Sequence, residues 1–231
     1  MPKEKNKEKL ILDTAISLFT KKGFQATRMD DIAKSAGISK GLTYFYYKNK
    51  EDLFMALTKK AFDLFKEEFR EVYLMKGING LEKLNELVIR VVEFAKKNQI
   101  LYDSIIGFMD LVKKYNDEEA RKTIDPLILE SQHFQKLLEI HHEPAKFGVM
   151  MVSQGIKDGS IRPELQPEIT FYTVWSMIIG FEKMLGPIGY EGKEVKINPE
   201  NWQHGFLKLL QDMLKGTIQA SRPATVQTSL F

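Results

Sequence analysis

The sequence has no cysteine in its 231 residues, which excludes disulfides and thiolate metal sites and makes a reducing compartment the natural setting. Long apolar runs are missing too. None approaches the ~20 residues of a membrane-spanning helix, and residues 1–10, MPKEKNKEKL, lack the apolar stretch of a secretory signal. No segment alternates long enough to be read as a strand, and no internal repeat is visible. There is no glycine-rich phosphate loop, no nucleophile elbow, and no pair of histidines spaced for zinc with a catalytic glutamate. Histidine is scarce, with four in all. His133 and His141 are about two helical turns apart, and the adjacent His141 and His142 point to different helix faces, so they read as surface or helix-end residues despite Glu130, Glu139 and Glu143 nearby. These absences lead to the expectation of a soluble, cytoplasmic, all-α chain that is not an enzyme and has no cofactor, metal or membrane partner.

Charge is present but unevenly spread. The chain carries a net +3, yet residues 1–50 hold eleven Lys and Arg against five Asp and Glu, a local +6 that leaves −3 for the remainder. A basic end on a mildly acidic body fits a protein that meets nucleic acid with one end only.

Residues 24–54, FQATRMDDIAKSAGISKGLTYFYYKNKEDLF, are the most informative stretch. Thr27 is placed to cap a helix with Asp30 three residues on. Met29, Ile32, Ala33 and Ala36 follow at helical spacing, so one face is buried. Gly37 supplies a left-handed end, with Ile38 packing back over the last turn. Ser39 caps a second helix over 40–47, in which Thr43 and Tyr47 face the first. Lys40, Gly41, Tyr44 and Phe45 share the opposite face, flanked by Leu42 and Tyr46. Two short helices across a glycine turn, the second rich in Lys and Tyr, read as a helix-turn-helix placed in a DNA major groove. Lysine and tyrosine reach phosphates, Gly41 lets the backbone come close, and Leu42 and Phe45 can touch thymine methyls. Asn49 caps the next helix. Lys50 in its first turn, with Thr27 and Arg28, is read as a phosphate anchor, the phosphate being drawn also by the positive end of the helix dipole.

The run AGISKGLTYFYYKNKEDLF closely resembles the DNA-binding domain of the TetR family of bacterial transcriptional regulators. The likeness spans a glycine turn, a short aromatic recognition helix and a K-x-K-E-x-L start to a long fourth helix. One departure is Thr43, where the family usually carries a larger apolar residue, which implies looser packing of the recognition helix. Beyond this block the chain matches in length and helical layout. The expected architecture is a three-helix head over 1–50, a helical ligand-binding and dimerisation body over 51–221, and a mobile tail over 222–231, with about nine to ten helices in total.

In the body, the adaptable apolar residues Phe62, Phe65, Phe69, Phe94, Tyr102, Phe108, Met109, Phe134, Phe147, Met150 and Met151 stand out. Such a stripe is commonly plain core. The resemblance implies that part of the group encloses a cavity between the fourth and eighth helices, whose apolar lining would suit a hydrophobic or amphipathic effector. Near the C-terminus, Trp175, Ile178, Ile179 and Glu182 share helical spacing on one segment, and Trp202, Phe206, Leu209, Leu210 and Met213 on the next. The resemblance implies that these two helices join the same pair of a second subunit. The expected function is therefore a homodimeric, ligand-responsive repressor on a palindromic operator in double-stranded DNA. Two alternatives stay open: a helical small-molecule binding protein whose head is a packing module, and a DNA-binding dimer without a ligand.

Overall fold

The computed structural model describes residues 2–185 and 198–216, and among these every regular element is an α-helix. The tail expected over 222–231 lies outside the described residues. Packing divides the chain into two compact units: Met1–Glu71 with Ile89–Lys146, and Val72–Val88 with Phe147–Phe231.

The first unit begins with α1 (Pro2–Lys22), which buries Ile11, Ala15 and Phe19. Leu10, next to Ile11 in the sequence, is exposed. Then come α2 (Met29–Ala36) and α3 (Lys40–Tyr46). Met29, Ile32 and Ala33 are buried as the spacing predicts. Gly37 adopts φ 65°, and the Ile38 N–H closes the turn on the Ala33 carbonyl at 3.0 Å. The helix start differs from the expectation. Arg28 is the N-cap, and Asp31 rather than Asp30 accepts its backbone N–H at 3.3 Å.

The long α4 (Lys50–Leu74) opens on Asn49, whose side chain accepts from the Asp52 N–H at 2.7 Å. It continues the first unit up to Glu71, with the later part of α5 (Gly80–Lys97) and all of α6 (Gln99–Asn116). Phe65 packs against Phe69, Phe94 and Tyr102, while Phe62, Phe108 and Phe134 form a chain of edge-on contacts 5.5 and 6.0 Å apart. The segment after Asp117 forms three short helices: α7 (Glu118–Arg121), α8 (Pro126–Leu129) and α9 (Gln132–Ile140). Each has its own cap, from Asp117, Asp125 and Ser131. Pro126 and two more capping side chains offer the backbone alternatives to a continuous helix.

The second unit contains the start of α5, most of α10 (Glu143–Asp158), α11 (Pro167–Leu185) and α12 (Pro199–Lys215). Gly80 sits against the backbone of Gly155, where an added Cβ would collide with main-chain atoms, and Gly148 lies under the ring of Phe171 in the same way. The Gly80 N–H donates to Asp158 Oδ2 at 2.9 Å, and the Leu81 N–H to Ser160 Oγ at 3.2 Å, so side chains following α10 cap α5. Burial works to raise the Asp158 pKa, but hydrogen bonds from Ser160 and Gly80 outweigh it and hold the carboxyl below its ordinary value. Lys83 is buried, donating to the Tyr73 carbonyl at 2.5 Å and to Gln154 at 2.9 Å.

Two stability outcomes follow from this contact. Gly80→Ala should lower the unfolding free energy by about 1–3 kcal/mol, read from urea denaturation, because backbone cannot yield as a side chain does. A depressed folded-state pKa stabilises above the unfolded value and loses that contribution as pH falls through the folded one. Asp158→Asn should therefore cost stability at neutral pH and flatten the stability loss below about pH 4.

Candidate nucleic-acid interface

The head turns one face of α3 inward and the other outward, as the spacing requires. Thr43 and Tyr47 are buried, at 0% and 1% exposure, while Phe45 is 78% exposed and Tyr44 40%. The Thr43 hydroxyl donates to the Ser39 carbonyl at 3.2 Å, so the small polar residue at this packed position is satisfied by its own helix. Ser39 is the N-cap of α3 and accepts from the Leu42 N–H at 3.3 Å. Gly41 lies on the exposed side with no atom within 4 Å of where a Cβ would stand. Phe45 and Tyr46 meet edge to face at 5.4 Å, forming an aromatic ridge beside that open strip.

Lys40 reaches back to Asp30 on α2 at 2.9 Å, with both side chains mostly exposed, and its ammonium lies 5.8 Å from the Tyr44 ring centre. The hydrogen bond and charge of Asp30 raise the Lys40 pKa. An exposed pair of this kind is weak in water and readily exchanges one anion for another. Arg28 is also exposed, at the start of α2.

Two of the expected phosphate anchors are placed otherwise. Thr27 has no exposed surface, and its hydroxyl donates to the Gly23 carbonyl at 2.8 Å, closing the α1–α2 loop from inside. Its side chain is therefore a loop lock with no surface to offer a phosphate. Lys50 donates to the carbonyls of Phe24 at 2.9 Å and Gln25 at 3.4 Å, with its ammonium 4.3 Å from the Phe24 ring centre. It staples the same loop to the start of α4. The sequence could not show this, because the partners are backbone carbonyls some 25 residues away.

The first turn of α4 is anchored more deeply by Asp52, which is buried. Its carboxylate accepts the Lys48 N–H at 3.1 Å and the Ser131 hydroxyl at 2.6 Å, and Ser131 in turn caps α9 by accepting from the Phe134 N–H. His133 lies beside Tyr47, ring centres 6.0 Å apart, and burial pushes its pKa below the ordinary value against the opposing pull of Asp52. His141 and His142 are on the turn after α9.

The residues expected to bind an effector divide. Phe62, Phe65, Phe69, Phe94, Tyr102, Phe108, Phe134 and Met151 are buried, Phe147 is half-buried, and Met109 and Met150 are 40% and 43% exposed. A cavity of about 450 Å³ does lie within the first unit, but of the eleven only Phe108 lines it. The other walls come from the α1–α2 loop, the start of α4, and α6 and α8. Glu51, Phe54 and Met55 on α4 and Ser104, Gly107, Phe108 and Leu111 on α6 keep helical spacing, but periodicity alone does not separate a cavity wall from a filled core.

In the second unit, Phe181 stacks on Phe206 at 4.4 Å and meets Trp202 at 5.1 Å, joining α11 to α12. Ile178 and Leu210 are fully buried inside the chain and so are not surface for a second subunit. Trp175, Ile179, Glu182, Trp202, Phe206 and Met213 are half-buried, and Leu209 is 63% exposed. Ile169 at 63% and Tyr172 at 50% add apolar surface that was not singled out from the sequence.

Asp52→Ala should destabilise the protein by roughly 2–3 kcal/mol in chemical denaturation, since it removes a helix-start contact and leaves the buried Ser131 hydroxyl without this acceptor.

Comparison with known proteins bears on what such a head does. Residues 11–57 match the family model described as bacterial regulatory proteins, tetR family. The chain is 27% identical over 190 residues to the uncharacterised helix-turn-helix transcriptional regulator YhgD of Bacillus subtilis, covering 80% of this chain and 90% of that one. It is 27% identical over 161 residues to the transcriptional repressor KstR2 of Rhodococcus jostii, covering 70% and 71%. Its fold is similar to a TetR/AcrR-family regulator from Thermobifida fusca, with TM-score 0.65 and 20% identity over 90% of this chain and 97% of that one. Residues 11–57 thus belong by sequence to the TetR family of bacterial regulatory proteins, and the helical architecture of the chain is similar to that of a solved member.

Proposed function

We propose that this protein is a transcriptional repressor that binds a palindromic operator as a homodimer in the cytoplasm and is released by a small hydrophobic or amphipathic effector. The observation that carries the DNA-reading part is the outward face of α3. A seven-residue helix that leaves Phe45 and Tyr44 exposed around an unobstructed Gly41 spends apolar surface on solvent, which favours a groove-reading role over core packing.

In this reading residues 1–50 act as the DNA-binding domain and 51–221 as the ligand and dimer domain. Lys40 exchanges Asp30 for a DNA phosphate or base edge, Tyr44 and Tyr46 touch the groove and its walls, and Leu42 and Phe45 meet thymine methyls. Ser39 and Arg28 anchor phosphates. Thr27 and Lys50 act indirectly, by fixing the loop that presents Arg28. Dimerisation has a physical motive, because one helix-turn-helix reads too few bases to be specific in a genome. The exposed apolar residues Ile169, Tyr172 and Leu209 suit such an interface. Effector and operator would favour different states of the protein, so each weakens the other.

Selection of random duplexes by the purified protein should recover a palindrome with half-sites about 34–36 Å apart. Lys40→Ala should then weaken binding to all sequences and reduce the slope of affinity against salt by about one contact. An unenriched pool with folded, dimeric protein would refute the operator reading, and an unchanged slope would refute the role of Lys40.

A further inference from the structure

The cavity in the first unit combines features that point to one ligand chemistry. Phe24, Phe54 and Phe108 line it together with the carboxylates of Glu51 and Asp125; Lys50, whose ammonium lies 4.3 Å from the Phe24 ring centre and is engaged by the Phe24 and Gln25 carbonyls, is not itself a lining residue. Phe24 and Phe54 meet edge to face at 4.9 Å, so ring positions on this wall are fixed by mutual packing. Asp125 is held in place by the Leu127 N–H at 2.9 Å, a contact that occupies Oδ1. Aromatic faces and carboxylates attract the same partner, a cation with apolar substituents, and a partly desolvated site strengthens both attractions. The volume of about 450 Å³ is in the range of small-molecule sites.

Gly107 supplies an independent observation. It stands exposed within α6, where glycine is unfavourable relative to alanine, and beyond its own helix no atom lies within 4 Å of the position its Cβ would take. No close packing therefore requires it. It lines the cavity, and its lack of a side chain keeps that space open.

We infer that this cavity, between the Phe24–Gln25 loop, the start of α4 and α6, is a binding site for a hydrophobic organic cation. The ligand would place its charge near Glu51 and Asp125 and its apolar groups on Phe24, Phe54 and Phe108. Bound there, it would touch the loop that Lys50 staples, which gives it a route to the DNA-binding head. That last link rests on the regulator reading, whereas the site itself does not.

The test is isothermal titration of the full chain, without DNA, using tetraphenylphosphonium and its near-isosteric anion tetraphenylborate. The cation is expected to bind at least about tenfold more tightly than the anion. Gly107→Leu, checked by circular dichroism and thermal melting, should abolish binding by filling the cavity. Glu51→Gln and Asp125→Asn, the latter keeping a capping side chain, should erase the preference between the two ions. Equal affinity for both ions in the unmutated protein, absence of cation binding, or binding that survives Gly107→Leu in a folded variant would overturn the inference. The titration contains no DNA, so its failure leaves the operator reading intact, and failed operator selection leaves the site intact.

Discussion

The buried carboxylate of Asp52 is the point on which the first unit depends. It closes the start of α4 through the Lys48 N–H and binds the hydroxyl of Ser131, which caps α9. Asp52 thus joins the end of the recognition helix, the start of the long helix and a segment some 80 residues later. A buried acceptor of this kind is worth little net while satisfied, but costly to leave unmatched, so the three helix ends must be positioned together. The placement of α3 relative to α4 is consequently a property of the unit rather than of the helix-turn-helix alone.

The same principle governs the α1–α2 loop. Thr27 and Lys50, which look on sequence like groups for phosphates, use their donors on the carbonyls of Gly23, Phe24 and Gln25. Main-chain acceptors of the loop next to these two side chains capture the ammonium and the hydroxyl first. Of the side chains read as DNA contacts, Arg28, Ser39, Lys40, Tyr44 and Phe45 are exposed, with Lys40 held loosely by Asp30. In the second unit, by contrast, close approach is set by absence: Gly80, Gly148 and Gly155 have no side chains where helices and rings come together.

Much of the head was legible because its signals are local. Helical spacing named the buried Met29, Ile32 and Ala33, and Gly37 marked a left-handed turn, since both depend on neighbours within one or two turns. The cap of α2 was misplaced by one residue because Thr27 had a competing acceptor, the Gly23 carbonyl. Ile178 and Leu210 share the apolar period of their helices with surface residues, so only packing separates interior from interface. The segment after Asp117 shows the limit differently: Pro126 marks one helix start in the sequence, whereas the caps by Asp117 and Ser131 take effect only in the packed chain.

The sequence by itself determined the all-α class, the helix-turn-helix, the inward and outward faces of α3 and the basic character of the head. These follow from periodicity, turn chemistry and charge, which act over a few residues. The tertiary structure alone decided that Lys50 and Thr27 face the loop, that Asp52 and Ser131 meet, and that a cavity opens beside Phe24, Phe54 and Phe108. Each of those outcomes depends on groups far apart in the chain, where which acceptor or which gap a side chain finds is fixed only once the helices pack.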